Sequence, residues 1–302
     1  MIGVLLVSGY VLWSNGRTYR DAEDVYSELL ALKPDDGSEE GGDLSGAFDD
    51  LRQINSDIKA WLTVRGTKVD YPVVQGENNI YYMNKDVYKE TSLAGSIFLD
   101  SRNRGDFSDP YLLIYGHHMD RGLMFGDLDL FKDGEFFDST RDAVITTVDG
   151  KADYKVLAVM DVIDSVKEIF DPFYWGRDLT GLHDYIEGHS IRTWGPAMDE
   201  FGENPTESQV VALVTCTSGQ TGTRLVVFLY RHVDGGWTDP DVPTPVPPTP
   251  DDDKPGGNVP KTGDTLYNSP VFWIVVLAAA AAAFSAFAVV YVKQKKNKKE
   301  KK

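Results

Sequence analysis

The stretch that most constrains this chain is Val210–Tyr230, VVALVTCTSGQTGTRLVVFLY. Val210–Thr215 is an unbroken apolar run rich in β-branched residues, and Leu225–Tyr230 is a second. Between them, Thr217–Thr223 has the Gly/Ser/Thr composition of a turn. The pattern predicts an antiparallel hairpin, with Cys216 closing the first strand and Arg224 opening the second at one edge of the sheet. A period of two puts Arg224 on the face of Val226, Phe228 and Tyr230. Cys216 is the one cysteine in 302 residues. A thiol beside a guanidinium sits in an electropositive setting that favours thiolate. A strand-end Cys is also a good small hydrophobe, and an arginine opening a strand is ordinarily a solvated edge charge. The hairpin alone leaves both readings open.

Similar runs recur from Thr63 onward. Val69–Val74, Gly95–Leu99, Tyr111–Tyr115, Ala143–Val148 and Tyr154–Ile163 join the two hairpin strands as expected β segments separated by turns. Such a series predicts a mostly β fold, a barrel or sandwich, which we read as a β-barrel with helical decoration. Helical spacing is expected over Arg20–Leu32, ended by Pro34, over Ala47–Trp61, and over Gly181–Met198 as an insertion before the Cys216 strand.

The net charge of −17 excludes a nucleic-acid surface, which needs a basic patch. That charge is segregated, because Lys293–Lys302 holds seven Lys and one Glu. Directly before this tail, Val271–Val292 carries no charge over 22 residues, enough to span a bilayer, with Trp273 and Tyr291 near its ends. The positive-inside rule puts the tail in the cytoplasm and the preceding chain outside. At the other end, residues 1–13 are apolar but shorter than a span, consistent with a partial signal anchor or a short interfacial segment. The expected organisation is residues 14–45 as helix and acidic Gly-rich connector, 46–233 as the folded domain, and 234–258 as a Pro/Asp-rich spacer.

Cysteine chemistry needs an acid/base partner, and there are five histidines. His183 and His189 fall on the expected insertion helix, and His232 ends the last strand. His117 and His118 follow a strand and a glycine, where a ring can stand at the rim of a barrel. Position alone does not choose between these two.

In order along the chain stand Gly116-His117, Thr215-Cys216 and Arg224. This arrangement resembles the sortase family, and the segments Tyr115-Gly116-His117-His118-Met119 and Met124-Phe125-Gly126-Asp127-Leu128 resemble its class B. Ile54-Asn55-Ser56-Asp57 with Trp61, Tyr71-Pro72-Val73-Val74-Gln75, Tyr81-Tyr82 and Gly95-Ser96-Ile97-Phe98-Leu99-Asp100 extend the similarity over about residues 46–233. The resemblance implies a closed barrel of about eight strands with N-terminal helices and a helical insertion. It implies Cys216 as nucleophile, His117 as acid/base and Arg224 as the group that holds substrate and stabilises the oxyanion, with Thr215 and Val214 beside the substrate. The chain departs from the family at Ala212-Leu213-Val214-Thr215-Cys216, where relatives often read Thr-Leu-Ser-Thr-Cys, so a hydroxyl two residues before the cysteine is absent.

The implied reaction is transpeptidation without metal or cofactor. A sorting signal is cut between Thr and Gly and its acyl group passes to an amine of a peptidoglycan cross-bridge or a pilin. A stretch near the C-terminal end resembles such a signal, the alternative being a plain anchor whose Pro and Gly belong to the spacer. Residues 259–264, Val259-Pro260-Lys261-Thr262-Gly263-Asp264, precede the apolar stretch and basic tail and resemble a cell-wall sorting signal with its cut between Thr262 and Gly263. A wall-anchored surface or pilus protein, whose sortase-like domain binds peptide without cutting it, is the alternative. An L,D-type cysteine transpeptidase lacks support because its Ser-x-Gly-Cys pattern is missing.

Overall fold

A computed structural model of the chain describes residues 23, 25–34, 44–216 and 222–234. The first helix, α1, covers residues 25–29 and tightens into a 3-10 turn at Leu30–Leu32 just before Pro34. Helix α2 spans Ser45–Ile54 and buries Phe48 and Leu51, which lie three apart on one face.

Nine strands follow: β1 Ile58–Val64, β2 Asp70–Val74, β3 Ile97–Leu99, β4 Tyr111–Tyr115, β5 Asp142–Thr147, β6 Gly150–Ile163, β7 Arg192–Thr193, β8 Ser208–Cys216 and β9 Thr223–His232. They form one sheet in the order β5-β1-β2-β3-β4-β8-β9-β6-β7. A further β5–β6 pairing closes eight of them into a barrel and leaves β7 as an extra strand on β6. The expected closed barrel with helical additions is the observed fold. Two of its pairs are parallel, β2 with β3 and β4 with β8. Parallel strands covered on both faces read as continuous apolar runs. Accordingly, Tyr111–Tyr115 and Val210–Val214 are buried at every position.

Two expected helices are corrected. Ala47–Trp61 is helical only to Ile54, after which Asn55 turns extended (φ −152°, ψ 112°). The Asn55 carboxamide accepts from Asp57 N–H at 2.9 Å and donates to Tyr82 Oη and the Val87 carbonyl, both at 2.8 Å. That side chain offers the backbone a turn in place of another helical residue. Residues 58–64 then form β1, paired on both sides with β2 and β5. The apolar spacing had run across two elements.

Gly181–Met198 is likewise not one helix. It divides into α5, Thr180–His189, and α6, Gly195–Glu203. Between them β7 pairs with β6, and Pro196 opens α6 at a position where its missing N–H costs nothing. The short helices α3, Gly134–Ser139, and α4, Lys167–Phe170, and a 3-10 run at Gly126–Lys132 carry no strong periodicity and were not expected. No helix among the described residues is long and apolar enough to cross a membrane. The expected span 271–292, the segment 1–13, the spacer beyond Asp234, the 259–264 signal and the basic tail lie outside the described residues.

Candidate active site

The ends of three neighbouring strands converge. In the parallel β4–β8 pair, Tyr115 is level with Val214, and Gly116 N–H donates to the Val214 carbonyl at 3.1 Å. Two residues beyond this last pair stand His117, just past the end of β4, and Cys216, the last residue of β8. On the other side of β8 the antiparallel ladder with β9 ends in the pair Cys216↔Arg224. Arg224 is also opposite Val162 of β6. Positions far apart in sequence thus share one end of the barrel, in the strand order β4-β8-β9.

Arg224 is not the solvated edge charge that a strand-opening arginine ordinarily is. It is 2% exposed, held between β8 and β6. A buried guanidinium keeps its charge and presents a rigid planar fork. Thr215 and Val214, expected beside the substrate, are fully buried in β8.

Gly116 precedes His117 because nothing larger fits. A Cβ there would stand 2.5 Å from Ile97 Cδ1 and 2.8 Å from the Phe125 ring. His117 is half-buried, and its Nε2 lies 2.6 Å from the Met83 carbonyl. A carbonyl only accepts, so Nε2 carries a hydrogen and donates it. Met83 closes the 3-10 turn Tyr81–Met83. Gly95 packs on the same ring at φ 60°, and a Cβ on it would come 2.9 Å from His117 Cδ2 and 2.6 Å from the Met83 carbonyl. Neither contact was expected from sequence. The positive-φ glycine was visible only as part of the Gly95–Asp100 similarity.

His118, the other histidine of the pair, is occupied elsewhere. Its Nε2 is 2.7 Å from Asp129 Oδ2. That hydrogen bond raises its pKa above the ordinary 6.5, against burial, with the Asp129 and Asp120 charges adding to it. A raised folded-state pKa stabilises fully below the unfolded value and fades as pH rises through the folded one. The melting-point gap between wild type and His118→Gln is therefore expected to be wider at pH 5.5 than at pH 9. Equal gaps in paired thermal melts would remove the His118–Asp129 pair from the stability of this loop.

Beneath the site lies a buried carboxylate. Asp100 is fully buried and accepts from Asn79 Nδ2 (2.8 Å), Arg102 backbone N–H (2.9 Å), Arg102 Nε (2.9 Å), Arg102 Nη2 (2.8 Å) and Tyr115 Oη (3.2 Å). Burial, with the Asp100 charge behind it, pushes the Tyr115 phenol far above its usual range, so it stays a neutral donor. Tyr115 is the last residue of β4. The network therefore fixes the strand from which His117 projects.

The family model described as Sortase domain matches residues 62–232, more than half of the chain. The chain belongs to the sortase family. Sortase B of Listeria monocytogenes is 31% identical over 198 residues, covering 62% of this chain and 76% of that protein. A Streptococcus pyogenes class B sortase involved in pilus biogenesis has a crystal structure that is 38% identical, with a TM-score of 0.52, covering 61% of this chain and 96% of that one. Sortase B from Bacillus anthracis superimposes with a TM-score of 0.60 at 28% identity, over 72% of this chain and 99% of the other. These relatives place the chain among the class B sortases, with transpeptidase function, and do not favour an inactive binding module.

Proposed function

We propose that Cys216, His117 and Arg224 carry the sortase reaction in this chain. The observation that supports this is the β4–β8 register, whose last pair, Tyr115 with Val214, stands two residues before His117 and Cys216, while Arg224 pairs with Cys216 across the next ladder. The Cys216 thiolate attacks the Thr carbonyl carbon of a sorting signal, and the oxyanion that forms is met by the Arg224 guanidinium. The Thr–Gly C–N bond breaks as His117 protonates the leaving amine, leaving a thioester. An acceptor amine then attacks the thioester, gives its proton to His117 and releases the thiolate. With Nε2–H held by the Met83 carbonyl, Nδ1 is the nitrogen that exchanges protons.

The substrates are sorting-signal peptides of surface or pilin proteins. The acceptor is an amine of a peptidoglycan cross-bridge or of a pilin, and the likeness to a sortase involved in pilus biogenesis supports the latter. The apolar stretch 271–292 spans the membrane with its basic tail inside and the catalytic domain outside. Cleavage between Thr262 and Gly263 transfers the protein to the wall.

Quenched peptides with Pro-x-Thr-Gly or Asn-Pro-x-Thr cores, and one copied from residues 259–264, test this with the full-length chain. Cleavage at Thr–Gly is expected, and Cys216→Ala is expected to abolish it. A wild-type chain that cuts none of these peptides and forms no thiol adduct would remove the assignment.

A further inference from the structure

Two buried tyrosines outside the strand-end cluster bear on both segments that frame His117. Tyr26, on α1, is 6% exposed and donates its hydroxyl to the Gly95 carbonyl at 3.1 Å. Gly95 is the residue packed against the His117 ring. The Tyr26 ring meets Tyr71 edge-on, with centroids 4.9 Å apart at 78°. The Tyr71 hydroxyl accepts from Met124 N–H at 3.0 Å. Met124 is bridged to His118, and Phe125 N–H donates to the His117 carbonyl at 2.9 Å. One tyrosine pair therefore touches the segment before the histidine strand and the segment after it.

The second segment needs an outside tether. Arg121 and Met124 have positive φ, at 63° and 53°, conformations that a non-glycine residue keeps only when surrounding structure enforces them. On its own side α1 is short, and beside it a half-open pocket of about 170 Å³ is lined by Glu23, Tyr26, Leu30, Lys68, Tyr71 and Met124. With part of its flank on that pocket, directed contacts help set where the helix sits. Burial raises the pKa of both phenols, Tyr71 to about 12, and keeps Tyr26 a neutral donor across the working range.

We infer that Tyr26 is a positioning residue for His117, with α1 acting through the Tyr26–Gly95 hydrogen bond and the Tyr26–Tyr71 contact to set the imidazole against the end of β8. The inference rests on the acid/base role proposed for His117. In the full-length protein, Tyr26→Phe keeps the ring and deletes only the hydroxyl. It is expected to lower kcat about tenfold with KM within about twofold, since small misplacements of a proton-transfer group act on kcat. It is also expected to move the His117 ring signals in ¹⁵N-histidine NMR, assigned by their loss in His117→Gln. Leu29→Val, at a fully buried position of the same helix, lowers stability while leaving the hydroxyl, and is expected to leave kcat and those signals in place. Wild-type kcat and His117 signals in Tyr26→Phe would overturn the inference, as would an equal loss of kcat in Leu29→Val. A wild type that cuts no peptide would instead defeat the functional assignment, and the His117 signals would still decide whether Tyr26 reaches the imidazole.

Discussion

Arg224→Lys is expected to lower kcat/KM by about a hundredfold to a thousandfold, the range seen when one oxyanion donor is removed. The charge survives this change, so its effect isolates the geometry of the guanidinium. Arg224 is 2% exposed, with its backbone paired to Cys216 in β8 and to Val162 in β6. A buried planar fork meets an oxyanion with little reorganisation, whereas an ammonium on a flexible stem offers one point charge at a different reach. Steady-state cleavage of a Pro-x-Thr-Gly peptide, read beside a thermal melt of each protein, checks the expectation. If the Lys variant stays within about threefold of wild type, the fork geometry has no part in the transition state.

The second large effect is on stability. Asp100→Ala is expected to cost about 3–5 kcal/mol, because removing one partner of a buried ion pair strands the other. For a domain of this size that is a fall of roughly 10 °C in Tm. The reason lies in how completely the carboxylate is used. Both oxygens are filled by Arg102, Asn79 and Tyr115, and Arg102 Nη2 in turn reaches the Phe170 carbonyl at 2.7 Å, tying α4 to the barrel. Without Asp100 the Arg102 guanidinium, about 29% exposed on its side chain, keeps a partial outlet to water, which sets the lower end of the range. Asn at this position retains the shape but turns one acceptor oxygen into a donor facing other donors, so it is expected to fall between Ala and wild type. Calorimetry and urea unfolding of the three proteins measure the order. A loss under about 1 kcal/mol for Ala would mean the network is replaceable by water.

The barrel was legible in the sequence because its central strands are saturated with apolar, β-branched residues. Tyr111–Tyr115, Val210–Thr215 and Leu225–Tyr230 need no tertiary information to be read as strands, and all three were found within two residues of their expected ends. Residues 58–61 were misread because Ile58 and Trp61 continue the spacing of α2, while the Asn55 side chain that ends the helix is held by long-range bonds to Tyr82 and Val87. Of the proposed site, His117, Cys216 and Arg224 could be picked out by residue type and motif. What orients His117 was hidden, since the Met83 carbonyl is a backbone atom and carries no residue signature. Asp129, which separates the two histidines by holding His118, looked like one acid among 47.

The β4–β8 pairing also says when such a protein becomes competent. Gln209 Nε2 donates to the Phe107 carbonyl across 102 residues of sequence, at the start of the same parallel pair. Contacts this non-local come at a large loop-closure entropy before they return any stability, so they form late in folding. The histidine and cysteine strands stay strangers until β5, β6 and the intervening helices have been gathered in. In the proposed site, closure of the barrel is therefore what brings the end of the histidine strand beside the cysteine strand, so any reactivity of that pair is conferred by folding itself.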